Sequence, residues 1–528
     1  MEFDVLIRNG TVFDGTGAPP VDADVGVVGD RIQAVGDLSA ATARLEVDAS
    51  GQAVAPGFID THTHSDLVWA LGPGLEHVAA ASVRQGVTTE VCGNCGFTPF
   101  PHLVGRRADL GRHLGALFGV ADAGWQDLDG FATAARRAGL FANLAPLVGH
   151  GGLRAGVMGF EDRPPRDDEL AAMKRLLEEA FEQGAFGFST GLIYTPGAFA
   201  STEELIELTG AVRRFGRPYV SHVRGETDMV RGSVEEAIRI GREAGVPVHL
   251  SHHKVAGRAN WGRTEETLGV IAAARGRGVD VTVDVYPYTA GSTLLSAILP
   301  RWAQDGGPER MLERLRDGAV RDRIEADLAG GPPGWENLVR AAGWDGIVVA
   351  TCPGRPEAEG RSIGELAGPG REAGFVFDLL IEQEGRVTMI VHLMHEADVR
   401  RVLGFEAAMI GSDGIPLPGK PHPRWAGTFS RVLGRYAREE RLFDLATAIH
   451  KMTGLPAQRF GLRGRGRLER GAVADLVVFD PDAVRDRATF EEPLLAPQGV
   501  RQVLVGGVAV VADGQLTGAR PGQVLTAR

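Results

Sequence analysis

Pro218-Tyr-Val-Ser-His222, Ser233-Val-Glu-Glu-Ala-Ile-Arg-Ile-Gly-Arg242 and Val246-Pro-Val-His-Leu-Ser-His252 follow one another closely along the chain, and their patterns alternate. The first and third are short, mostly apolar runs of the kind that form buried strands. Between them, Ser233-x-x-Glu236 has the form of a capping box, in which a hydroxyl and a carboxylate satisfy free N–H groups at a helix start. Strand, helix and strand in this order predict a parallel pair, which needs a crossover rather than a tight hairpin. The unit recurs upstream. Leu170, Met173, Leu177, Ala180 and Phe181 repeat at helical spacing, Gly184 can cap that helix, and Ala185-Phe-Gly-Phe-Ser189 reads as the next strand. Ser201-x-x-Glu204 predicts a further helix, running to about Phe215. Strand ends fall near His64, Cys95, Gly149, Ser189, His222, His252, Tyr286 and Asp413, and eight such units predict an α/β fold of the (β/α)8 TIM-barrel kind. Val387-Thr-Met-Ile-Val-His392 would make a ninth strand and is assigned instead to an insertion. That insertion, about residues 290–385, is rich in Gly and Pro, too long for a plain loop, and expected over the barrel mouth.

The ends of the chain read as β structure. Phe3, Val5 and Ile7 alternate with polar residues, and Gly29-Asp30 and Gly506-Gly507 each separate two apolar runs as tight hairpin turns do. A lone hairpin is marginal in water, so the terminal strands are expected to pack together. This predicts a small discontinuous β-sandwich domain from residues 1–55 and 465–528, and a catalytic barrel over 56–464.

Composition narrows the function. A chain of 528 residues with 44% hydrophobic and 23% charged residues has an ordinary globular profile, too long for one simple core. Its net charge of −12 argues against nucleic-acid or anionic-membrane partners, which require basic patches. No secretory leader is read at Met1-Glu2-Phe3-Asp4, and three cysteines suit a reducing cytoplasm better than a disulfide framework. Homo-oligomer formation is compatible with this composition.

The chemistry gathers at the predicted strand ends. In Phe58-Ile-Asp-Thr-His62-Thr-His64, alternation turns both imidazoles the same way, which suits a zinc site as well as an exposed pair on an edge strand. His222 and His252 end consecutive strands, where barrel enzymes place catalytic groups. His253 should face away, a choice that depends on strand register. Asp413 fits either a helix N-cap or a carboxylate beside a metal that accepts a proton from water. Cys95, in Cys92-Gly-Asn-Cys95-Gly, fits a thiolate zinc ligand better than a redox pair. A reactive Cys-x-x-Cys sits at a helix N-terminus, whereas Gly96 and Pro99 follow here.

Ala55-Pro-Gly-Phe-Ile-Asp-Thr-His-Thr-His64 and Gly471-Ala-Val-Ala-Asp-Leu-Val-Val-Phe479 resemble the amidohydrolase superfamily. Gly93-Asn-Cys-Gly96, Gly149-His-Gly151, Ser189-Thr-Gly-Leu-Ile-Tyr194, His222-Val-Arg-Gly-Glu226, Ser251-His-His-Lys254, Asp284-Val-Tyr-Pro-Tyr288 and Gly411-Ser-Asp-Gly-Ile-Pro-Leu-Pro-Gly-Lys-Pro-His-Pro-Arg424 resemble its D-aminoacylase branch, the N-acyl-D-amino-acid deacylases. The resemblance implies one tightly held zinc on Cys95, His222 and His252. It implies a second, weaker metal position at His62, His64 and Asp413, with Asp413 as general base and then general acid. It also implies that Lys254, Tyr286 and Arg424, with Ser292 nearby, meet the substrate carboxylate. The expected reaction is hydrolysis of an N-acyl-D-amino acid to a carboxylic acid and a free D-amino acid.

Rival readings on the same architecture are a cyclic-amide hydrolase of the hydantoinase or dihydroorotase type, a dipeptidase, and a non-catalytic scaffold. The first usually carries a carboxylated lysine on its fourth strand, and Gly184-Ala-Phe-Gly-Phe-Ser-Thr190 has none. If Cys95 ligates zinc, Cys95→Ala loses most of the bound metal and most activity while Cys92→Ala keeps both. Metal analysis of the two purified variants checks this, and full zinc in Cys95→Ala would refute it.

Overall fold

The structure is a computed structural model that describes residues 2–72, 74–118, 124–331 and 334–527. Eight strands with parallel pairing carry the motifs: β1 (Phe58–Asp60), β2 (Val87–Cys92), β3 (Asn143–Pro146, resuming at Val148–Gly149), β4 (Phe188–Gly191), β5 (Tyr219–His222), β6 (Val248–Leu250), β7 (Val281–Val285) and β8 (Ala408–Ile410). β1, β2 and the first part of β3 form one sheet, and the second part of β3 continues through β4, β5, β6 and β7 to β8. Past β1 and β8 the backbone continues to pair. The Asp413 N–H donates to the His62 carbonyl at 2.7 Å, and the His64 N–H donates to the Gly414 carbonyl at 2.9 Å. These strands are buried throughout, as expected where helices cover a parallel sheet.

The connecting helices follow mostly from local signals. Asp167–Gln183 ends on Gly184, whose φ of 108° is left-handed and accessible to glycine without strain. Ser201 caps Thr202–Ala211, its hydroxyl accepting the Glu204 N–H at 3.1 Å. The capping box at Ser233 is not used. That helix runs Val230–Ala244, and the Ser233 hydroxyl donates to the Met229 carbonyl at 3.1 Å from inside the first turn. Ser233 and Val234 are buried with the helix core, so packing sets the start ahead of the cap preference.

Both chain ends enter one nine-stranded sheet, in which Ala53–Pro56 pairs antiparallel with Leu476–Phe479. Leu476 and Val478 pack with Val5, Ile7, Val25 and Ile32, whereas Val477 and Phe479 turn to the larger core shared with the parallel strands. Alternation along one strand thus joins the two bodies. The ninth strand candidate appears as Thr388–His392. It pairs antiparallel with Ala290–Leu294 and Ile347–Thr351 in a separate three-stranded sheet, so the inserted structure extends a few residues past 385. Among the described residues, no helix is long and apolar enough to cross a membrane.

Three carboxyl groups on β1, on β2 and in the loop past β1 are buried: Asp60, Glu90 and Asp66. Burial pushes the Glu90 carboxyl from 4.5 up to about 7, against hydrogen bonds from Ser65 and Ser82. Glu90 therefore holds its proton more tightly in the folded than in the unfolded chain. Its contribution to stability is present below pH 4.5 and lost as pH rises through about 7. Glu90→Gln keeps the shape and cannot ionise. Relative to the parent it should gain stability between pH 5 and pH 8, by up to about 3 kcal/mol. Denaturant titrations at the two pH values measure this, and an equal offset at both would refute it.

Candidate metal centre

Cys95, His252 and Asp413 all adopt left-handed backbone conformations, with φ of 53°, 34° and 51°. Such conformations cost non-glycine residues energy and persist where the surroundings over-determine them. Here the surroundings are specific. The Ser189 hydroxyl donates to the Gly93 carbonyl and accepts the Gly96 N–H at 3.2 Å, pinning the Cys95 turn from β4. Gly191, at the end of β4, lets the Cys95 carbonyl approach so closely that any Cβ there would overlap it. The His252 N–H donates to Asp284 Oδ1 at 2.6 Å.

These turns aim their side chains at one point. Cys95 Sγ lies 3.3 Å from His62 Nε2, 3.5 Å from His252 Nε2 and 3.6 Å from His222 Nδ1. Asp413 Oδ1 lies 3.3 Å from both His62 Nε2 and His64 Nε2. All six residues are buried. His253, by contrast, turns away and places Nε2 2.9 Å from the Thr267 hydroxyl.

Charge explains how these groups coexist. Burial raises the Cys95 thiol, but His62 and His252 outweigh it and hold the thiol well below its ordinary range. Burial also raises Asp413, and Arg424, His62 and His252 together hold it well below the usual carboxylate range. His222 is lowered by burial and by the neighbouring His252, which favours the neutral, ligating imidazole.

The donors fit a zinc ion. Sulfur and nitrogen ligands at usual zinc distances in a tetrahedron are separated by roughly 3.6 Å. The Sγ–N separations of 3.3–3.6 Å are close to that value. His222 Nε2, His62 Nδ1 and His64 Nδ1 are buried without a hydrogen-bond partner. Three sets of donors lie within metal-binding reach: His62, Cys95 and His252; His62, His64 and Asp413; and His222, Glu226 and His252.

The residues expected to meet the substrate flank this cluster. Arg424 Nη1 lies 2.8 Å from Asp413 Oδ2, Nη2 donates to the Ser292 carbonyl at 3.0 Å, and the guanidinium stands 4.6 Å over the Tyr286 ring. Lys254 Nζ lies 2.7 Å from both Glu226 Oε1 and His252 Nδ1. Ser292 belongs to the first strand of the inserted sheet, so the insertion reaches the site through its backbone. Glu226, Asp284 and Glu336 were not singled out from the sequence as site residues. Glu226 and Asp284 lie within quoted motifs, and each stands behind a histidine. Glu336 comes from the insertion, where its Oε2 accepts the Glu226 N–H at 2.8 Å.

Residues 45–511 match the model of the amidohydrolase family. The chain is 42% identical to a D-aminoacylase of Alcaligenes xylosoxydans xylosoxydans over 99% of this chain and 97% of that one. It is 41% identical to an N-acyl-D-glutamate deacylase of the same organism, over 99% and 96%. The crystal structure of an N-acyl-D-glutamate deacylase from Bordetella bronchiseptica, complexed with zinc and a phosphonate mimic of the tetrahedral intermediate, superposes with a TM-score of 0.83. That pair shares 38% identity and is fully covered on both sides. The chain belongs to the amidohydrolase family, in its D-aminoacylase branch.

Proposed function

We propose that this enzyme hydrolyses the amide bond of N-acyl-D-amino acids in a zinc-dependent reaction, releasing a carboxylic acid and a free D-amino acid. The observation that carries the reading is the convergence of Cys95, His62, His222 and His252 around one buried sulfur, in a chain resembling D-aminoacylases from end to end. The eight parallel strands are read as one barrel over residues 56–464, with 1–55 and 465–528 as the small β domain and the insertion at the mouth. The backbone pairing between the segments that follow β1 and β8 supports the barrel.

Cys95, His222 and His252 would hold the tight zinc, and His62, His64 and Asp413 a second, weaker one. Bound there, zinc would polarise the scissile carbonyl and acidify water. Asp413 takes the proton of the attacking water as the oxygen adds to the acyl carbon. It returns that proton to the nitrogen as the C–N bond breaks. Arg424 and Lys254, with Tyr286 and Ser292 beside them, receive the substrate carboxylate, the Arg fork matching its two oxygens. Burial of these groups excludes bulk water and strengthens each contact.

A cavity of about 680 Å³ adjoins the centre. Its inner wall includes Phe97, Ile193, Tyr194 and Leu294, and Phe97 and Tyr194 pack edge-on against His64 and His222. Three arginines also line the cavity: Arg112 and Arg386 lie 3.6 Å from Glu309 and 2.9 Å from Glu384, and Arg316 is the third. An apolar inner wall favours an apolar amino-acid side chain over an acidic one.

Two measurements test this. N-acetyl-D-leucine and N-acetyl-D-methionine should react far faster than their L-enantiomers, their amides, and N-acetyl-D-glutamate. Equal rates for the two hands, or for acid and amide, would overturn the carboxylate clamp, and faster turnover of the glutamate substrate would overturn the side-chain preference. Asp413→Asn should lower kcat by about 10²–10⁴-fold with the tight zinc retained, since it keeps the shape but cannot take the proton. Turnover near the parent rate would exclude Asp413 as the proton carrier.

A further inference from the structure

Asp284, on β7, is fully buried and points at no expected substrate group. Its carboxylate makes contacts to three histidines, one on β6 and two just past the ends of β1 and β6. Oδ2 lies 2.7 Å from His249 Nε2 and 3.5 Å from His62 Nδ1, and Oδ1 accepts the His252 N–H at 2.6 Å. Each contact has a direction. His62 presents its other nitrogen, Nε2, to Cys95 and Asp413. His252 is held by its N–H in the left-handed conformation, with φ of 34°, that turns its ring toward Cys95. His249 is itself fixed, its Nδ1 2.8 Å from the Thr282 hydroxyl, so it supports the carboxylate from the side away from the cluster. The backbone just past β8 leaves room for this arrangement. A Cβ at Gly411 would come within 2.8 Å of His62 Cβ and 3.1 Å of Asp284 Oδ1.

We propose that Asp284, backed by His249, is a positioning residue that orients His62 and His252 for metal, acting through them and never touching the reacting atoms. The inference rests on the metal reading above and assigns to Asp284 a role separate from that of Asp413. With the Asp284 carboxylate facing Nδ1 at 3.5 Å, the neutral His62 ring keeps its proton on that side, leaving the Nε2 lone pair free to ligate. A ligand whose outer nitrogen is so held reaches the metal in one tautomer and one orientation. The His252 bond does the same through the backbone, holding a strained turn that an unassisted residue would leave.

The test compares zinc dissociation constants, measured by chelator competition, for the parent and Asp284→Asn proteins, alongside kcat and KM at saturating zinc. Asn keeps the volume but is a weaker, uncharged acceptor. Zinc binding should weaken by about 10–100-fold. Saturating zinc should restore most of kcat with KM little changed, a pattern that general destabilisation or loss of a proton carrier does not produce. A zinc dissociation constant within twofold of the parent overturns the proposal, as does a kcat loss that saturating zinc leaves in place. If Asp284→Asn does not fold, the parent protein decides. Histidine-selective ¹⁵N spectra of the zinc-loaded protein, with His62 assigned by its absence in His62→Gln, should show the proton on Nδ1, and a proton on Nε2 refutes the role. A parent that binds no zinc at all would instead refute the metal reading itself.

Discussion

One buried sulfur with three imidazole nitrogens within 3.6 Å is the constraint on which the rest of the site depends. Out of water, such a group of donors is stable only if every charge has a counterpart. The structure supplies them in alternating layers. Asp413 meets His62 and His64 and is met in turn by Arg424, while Glu226 meets His252 and Lys254. The left-handed turns at Cys95, His252 and Asp413 follow from the same demand, since extended strands would not turn all three side chains into one place.

Much of this was legible because strand period and strand ends leave marks in sequence. His62 and His64 stand two apart and meet the same carboxylate oxygen, although β1 itself ends at Asp60 and the pair lies on the loop beyond it. The choice of His252 over His253 rested on register, and the rings point to Cys95 and Thr267 respectively. What escaped the sequence was set by contacts far apart in the chain. Glu226 and Asp284 are ordinary carboxylates until folding places histidines in front of them. Ser233 has a capping pattern that packing overrides. The insertion reaches Arg424 through the Ser292 carbonyl, a backbone atom that no side-chain pattern encodes.

The cations of the site are engaged before any substrate arrives. Arg424 is shared between Asp413 and a backbone carbonyl, and Lys254 between Glu226 and His252. A substrate carboxylate bound as proposed would therefore meet a neutralised pocket rather than a bare positive one, and the charge it adds would be accommodated by re-partitioning contacts already made. This separates the local field of the site from the net charge of −12 carried by the whole molecule.

The shared terminal sheet has a consequence for the order in which the protein can be made. Ala53–Pro56 pairs with Leu476–Phe479, and the apolar faces of Val5, Ile7 and Val25 are covered by residues from that same distant stretch. A ribosome delivers the first half of this sheet early and the second half only after the whole catalytic segment has emerged. Throughout that interval the amino-terminal strands carry an open hydrogen-bonding edge and an uncovered apolar face, the condition in which nascent chains aggregate or recruit chaperones. Closing the sheet is a contact of very high sequence separation, which carries a large loop-closure entropy cost.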